Sequence, residues 1–125
     1  MKEKNFAPEE PHELGRRGEE FALEYLKKKG YRIVDRGFRL FRGELDIIAY
    51  EGQTLVFVEV KTRMDTEFGA PEEYVTPAKQ RQIRKIAEGY LAIKTLVDIE
   101  CRFDVISLLS DEKEGFKVQH FRNAF

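Results

Sequence analysis

Hydrophobic and polar residues change period several times along this chain of 125 residues. From Glu13 to Lys29, the apolar residues Leu14, Phe21, Ala22, Tyr25 and Leu26 fall on one arc at about 100° per residue, and Gly30 follows as a stop. That pattern predicts an amphipathic helix. Tyr31 to Leu40 alternates loosely, with Arg32, Asp35, Arg36 and Arg39 among apolar positions, which predicts a strand at or near a sheet edge. Leu45 to Tyr50 and Leu55 to Val60 are short runs of β-formers on either side of Glu51-Gly52-Gln53-Thr54, a hairpin signal. Lys61 to Val75, with Gly69, Pro71 and several charges, reads as a loop long enough to carry function. Thr76 can cap and Pro77 can take the first helical position of a helix running to Leu96, with Ile83, Ile86, Ala87, Tyr90 and Ile93 inward. Cys101 to Leu109 and Phe116 to Phe121 predict two more strands.

The predicted order, α-β-β-β-α-β-β, is that of one α/β layer structure, a single domain over residues 12–125 behind a flexible N-terminal tail of residues 1–11. A chain of this length buries enough surface for one core without staples. Cys101 is the single cysteine and His12 and His120 the only histidines, which excludes an internal disulfide and a structural zinc site. No apolar stretch approaches the roughly 20 residues of a membrane span, and the charged start is unlike a signal peptide, so a cytoplasmic protein without a membrane partner is expected. Net charge is −1, so any affinity for nucleic acid must come from local basic surface. Two segments supply it: Pro77 to Lys94 holds five basic residues and one acidic, and Tyr31 to Arg42 four basic and one acidic.

The hairpin register follows from its turn, because loops of two or four residues centred on Gly52-Gln53 both pair residues whose numbers sum to 105. Asp46 then stands opposite Glu59, and Glu44 opposite Lys61, with Cβ atoms about 4.5–5.5 Å apart and all four side chains on one face. Opposed carboxylates continuing the apolar row of Leu55 and Phe57 repel each other unless one is protonated or a cation lies between them. Oxygen ligands without histidine or thiolate suit Mg²⁺ or Mn²⁺. The structural alternative is an ordinary Glu44–Lys61 ion pair and an aspartate that merely ends a strand.

Asp46 followed thirteen residues later by Glu59-Val60-Lys61 resembles the active-site signature of the PD-(D/E)xK nuclease superfamily. The wider set resembles the YraN-like endonuclease-domain family over Glu13 to Phe125. It comprises Gly15-x-x-Gly18-Glu19, Gly43-Glu44-Leu45-Asp46, Phe57 to Arg63, Phe68-Gly69-x-Pro71, Lys79, Arg102-Phe103-Asp104 and Asn123-Ala124-Phe125. That family is similar in core to archaeal Holliday-junction resolvases. Leu45 stands where the superfamily signature has proline. The resemblance implies a restriction-endonuclease-like core with a mixed central sheet flanked by helices. It implies metal-dependent phosphodiester hydrolysis, with Asp46 and Glu59 as metal ligands and Lys61 assisting the attacking water.

Glu19 borders the buried arc of the first helix, whereas Glu20 points to solvent, so Glu19 is either a supporting carboxylate beside the metal or a flanking surface residue. Lys79 lies on the inward side of the second helix and is either a phosphate contact or a snorkelling lysine. Asp104 is read as part of a strand-borne ion pair. Lys79, Arg63, Arg81, Arg84 and Lys85 are the candidate nucleic-acid contacts, with backbone and shape rather than base sequence as the target. DNA is the expected partner ahead of RNA, and a homodimer is an expectation by analogy. A non-catalytic nucleic-acid-binding or partner-binding module and a ribonuclease are the competing functions.

Overall fold

The computed structural model describes residues 11–64, 75–111 and 115–125. The elements are α1 (Pro11–Lys28), β1 (Arg32–Leu40), β2 (Gly43–Glu51), β3 (Thr54–Met64), α2 (Pro77–Ile93), β4 (Cys101–Ser110) and β5 (Phe116–Phe121). Their order is the expected α-β-β-β-α-β-β, and the five strands form one sheet in the order β1-β2-β3-β4-β5. β3 and β4 are parallel, joined through α2, while the other neighbours are antiparallel. A mixed sheet with a helix on each face is consistent with a restriction-endonuclease-like core.

Each helix lies on the sheet because its apolar arc has nowhere else to be buried. Ala22, Leu23 and Leu26 of α1 pack on Ile47, Ala49, Val56, Val58, Ile106 and Leu108. Ile83, Ile86, Ala87 and Tyr90 of α2 pack on Leu45, Ile48, Leu55, Phe57 and Val105 of the other face. Full burial of each large side chain contributes about 1.5–3 kcal/mol, more than the intrinsic helix tendency of segments this short. β1 is an edge strand, as its loose alternation suggests, and a register shift between Ile33 and Asp35 leaves Val34 as an extra residue.

Three boundaries differ from expectation. Helix α1 begins at Pro11, inside the segment assigned to the tail; residues 1–10 lie outside the described residues. β3 continues through Lys61, Thr62 and Arg63 to Met64, where a loop is predicted, because these residues pair in parallel with Ser107 to Ser110. That pairing is invisible to local sequence. The rest of the expected loop, with Phe68, Gly69 and Pro71, falls outside the described residues. Helix α2 stops at Ile93, because Thr95 takes a φ of 55° and the Leu96 amide donates back to the Leu91 carbonyl. Leu96 keeps its apolar spacing by packing against the core just after this reversal, which is why periodicity alone carries the helix too far.

Candidate active site

The hairpin register is as computed at the turn, with Glu51↔Thr54, Tyr50↔Leu55 and Ala49↔Val56, and it ends at Ile47↔Val58. One step further the strands part. Leu45 packs on the α2 side and Ile47 on the α1 side, so alternation breaks at Asp46. The carboxylate of Asp46 accepts the Val60 amide at 2.8 Å, replacing the ladder bond that Leu45 would otherwise form. Asp46 and Glu59 therefore meet through side chains at a split in the sheet, near enough that the Asp46 carboxylate raises the pKa of Glu59. The expected pairing of Glu44 with Lys61 is not realised. Glu44 instead faces Arg39, its partner on β1, at 3.8 Å.

Glu59 is 6% exposed, and two ammonium groups address the same oxygen: Nζ of Lys61 and Nζ of Lys79 each lie 3.8 Å from Oε2. Lys79 thus faces the site rather than covering a core edge. Its place in the first turn of α2 is set by Thr76, whose hydroxyl accepts the Lys79 amide, and by Pro77 at the helix start. Glu19 arrives from α1 on the other side of the sheet. Gly18 allows this approach, since a Cβ there would collide with the Thr62 side chain of β3. The split thus lies between the first turn of α2, which supplies Lys79, and the part of α1 that carries Glu19.

Burial is the main reason these acids hold protons. It raises Asp46, and Glu44 adds to that effect against the Val60 amide and the two lysines. Burial followed by the Asp46 carboxylate pushes Glu59 up to about 7. Glu19, half-buried, is pushed up to about 7 by burial and then by Asp46 and Glu44, with Arg36 opposing. Burial and mutual repulsion therefore make the metal-free pair resist carrying two negative charges near neutrality.

Between pH 4.5 and 7 the native state retains protons that the unfolded chain has released, so the stability these groups contribute is full at low pH and is lost as pH rises. For buried Glu59 alone this amounts to the order of 3 kcal/mol. Chelator-treated protein is expected to melt several degrees higher at pH 5 than at pH 8. A flat or rising dependence of the midpoint over that range would show that the carboxyl pair is not protonated.

Among the described residues no three His, Cys, Asp or Glu side chains are grouped to hold an ion. The available set is two carboxylates, Asp46 and Glu59, with Glu19 beside them. That suits a hard cation that keeps several waters and takes its remaining oxygens from a phosphate. Buried carboxylates that repel one another are also the donor chemistry that a divalent ion relieves.

The candidate nucleic-acid contacts do not converge. Arg63 lies two residues beyond Lys61 on β3, half-buried. Arg81 is exposed on α2, Arg84 covers Phe103 and Phe125 at 4.7 and 5.4 Å, and Lys85 lies over Phe41 at 5.0 Å. Only Lys79 of the α2 set reaches the acids.

A second polar cluster is built on the α1 face. Asp104, fully buried, accepts Nε and Nη2 of Arg102 at 2.9 and 3.0 Å, the Asn123 amide at 2.9 Å and Nε2 of His120 at 2.8 Å. Arg102 also donates to Glu51 and to the Tyr31 hydroxyl, and His120 Nδ1 faces the Tyr25 hydroxyl. The ion-pair reading of Asp104 holds. The part of His120 escapes the sequence because it stands on β5, opposite Ile106.

The sequence matches the model of the Uncharacterised protein family UPF0102 over residues 18–108. It is 50% identical over 121 residues to a UPF0102 protein of Chlorobium limicola, covering 93% of this chain and 94% of that one. A UPF0102 protein of Geobacter sulfurreducens is 49% identical over 112 residues, 90% of this chain and 88% of its own. One from Chlorobaculum tepidum is 46% identical over 120 residues, 92% and 93% of the two chains.

Proposed function

The chain belongs to the UPF0102 family, and we propose that it is a divalent-metal-dependent nuclease of the PD-(D/E)xK type that hydrolyses phosphodiester bonds in DNA, branched or otherwise structured DNA in preference to plain duplex. The observation that carries this reading is the buried Asp46–Glu59 pair in the split between β2 and β3, with two lysine ammoniums at 3.8 Å from one of its oxygens. Asp46 and Glu59 would hold Mg²⁺ or Mn²⁺. Such an ion lowers the pKa of a water toward neutrality and neutralises charge on a phosphoryl oxygen.

The chain's own groups supply the rest. Lys61 orients the attacking water and holds positive charge where negative charge develops at phosphorus. Lys79, directed at the same point from α2, receives a non-bridging phosphate oxygen. Glu19, the supporting carboxylate, accepts the proton that the water releases. The basic residues of β1 and α2 draw the backbone in, which makes binding strongly salt-dependent. No helix among the described residues is long and apolar enough to cross a membrane, and a cytoplasmic setting fits a nucleic-acid substrate.

Purified protein is expected to cut flap or junction DNA in Mg²⁺ or Mn²⁺ and to be inert in chelator. Calorimetry should show Mn²⁺ binding at pH 8 that weakens toward pH 5, where the carboxyl groups are protonated. Salt-sensitive DNA binding without Mn²⁺ uptake or cleavage would favour a non-catalytic module, and cleavage confined to RNA a ribonuclease.

A further inference from the structure

We infer that the β1–β2 turn, Phe41-Arg42, is a stacking wedge that receives an unpaired nucleobase at the edge of the acid site. The inference rests on the nucleic-acid reading and names the feature of the substrate that this chain would recognise.

The two residues form the whole loop between the paired Leu40 and Gly43, and both have positive φ, 53° for Phe41 and 59° for Arg42. A two-residue hairpin with this geometry strongly favours Asn-Gly or Asp-Gly, because other side chains crowd the backbone in the left-handed region. The chain follows the rule in its other tight hairpin, where Gly52 takes a φ of 60°. At residue 41 it places the bulkiest kind of side chain in that conformation instead. Core packing does not explain the choice, since Phe41 is 54% exposed. The ring packs on α2 at Gly89 yet leaves about half of the residue to solvent, and strained positions of this kind cluster at sites of contact with other molecules.

The surroundings fix the ring and colour it positively. It lies over α2 at Gly89, where a Cβ would press on Leu40 and on the ring itself, so glycine there admits the contact. Lys85 Nζ lies 5.0 Å from the ring centroid. Arg42 is exposed, and the Arg39 side chain is 81% exposed beside the turn. A half-exposed aromatic ring with one lysine over it and two exposed arginines near it in the chain offers a base its uncovered surface and offers phosphates positive charge. The location fits. Lys79, which marks the acid site, and Lys85, which marks the ring, are six residues apart on α2, a rise of about 9 Å with about 120° between their directions around the axis. From Arg42 the chain reaches Asp46 in four residues.

The test is Phe41→Asn, which suits the left-handed position and removes the ring, with Phe41→Trp as the variant that keeps an aromatic face. Binding is measured in chelator, at low salt, to a duplex carrying 2-aminopurine at the first unpaired position of an overhang, and to the same duplex with blunt ends. Phe41→Asn is expected to lose about tenfold in affinity for the overhang and to abolish 2-aminopurine quenching. Its blunt-duplex affinity should change less than twofold and its melting midpoint should be unchanged or higher. Phe41→Trp should retain both overhang affinity and quenching. Equal overhang binding and quenching by wild type and Phe41→Asn would overturn the wedge while leaving the nuclease reading intact, and would assign the ring to a protein contact. A lowered midpoint with unchanged binding would make Phe41 a packing residue and overturn it likewise. Failure of the wild type to bind either duplex would overturn both readings.

Discussion

Glu59→Gln is expected to lower metal-supported cleavage by more than about 100-fold and, in the same molecule, to raise the melting midpoint of metal-free protein at pH 8 by several degrees. The first effect follows from removing one of two charged ligands, since loss of a mere supporting group around a metal already costs about 10- to 100-fold in affinity or activity. The second follows from burial. The Glu59 carboxyl is pushed up to about 7 because the folded chain resists a second negative charge beside Asp46. Glutamine is uncharged at every pH. Lys61 and Lys79 lose a partner, but their side chains are 35% and 33% exposed and can turn to water, so the gain is reduced rather than reversed. Melts from pH 5 to 8 should be flatter than those of the wild type, and Mn²⁺ calorimetry should show little heat. Intact cleavage, or a lower midpoint with metal binding preserved, would remove Glu59 from the centre.

Asp104→Ala should act in the opposite way, costing about 3–5 kcal/mol of stability while leaving Mn²⁺ affinity of the folded protein near that of wild type. The carboxylate is fully buried and accepts four hydrogen bonds, so its removal strands the Arg102 guanidinium and His120 inside the structure. Those bonds hold the Asp104 carboxyl below the usual carboxylate range against burial, with His120 and then Arg102 as the main partners. For a domain of this size the loss corresponds to a midpoint roughly 10–20 °C lower. Since Asp104 lies on the α1 face and its network runs toward the β2–β3 turn, the acids at the split should be little disturbed. A change of a degree or two would mean that water replaces the carboxylate, and a loss of Mn²⁺ binding would tie this cluster to the site.

Those two carboxylates also mark how far the sequence can be read. The tight turn makes the register legible as far as Ile47↔Val58, but the direct cross-strand pairing of Asp46 with Glu59 that it predicts is not realised, and the two acids approach through their side chains instead. The strand split was not legible, because it arises when one side chain takes an amide from the ladder, an event with no periodic signature. Lys79 and Glu19 could be narrowed to two fates each by their helical faces, and it is the packing of α2 on the sheet that brings the Lys79 ammonium to within 3.8 Å of Glu59. Lys61 and Arg63 were placed in a loop because their partners on β4 lie more than forty residues away. His120 reaches Asp104 across a strand pair, and the Phe41-Arg42 turn breaks the rule by which turns are recognised. In each failure the deciding contact was either distant along the chain or contrary to local preference.

The dependence of one pair of acids on helices from opposite sides of a sheet has a consequence for the life of the molecule. On the proposed reading no stretch of this polypeptide contains a working centre by itself. A nascent chain still lacking α2, or a stump left by proteolysis, would be harmless to the genome around it, and cutting power would come only with the finished molecule.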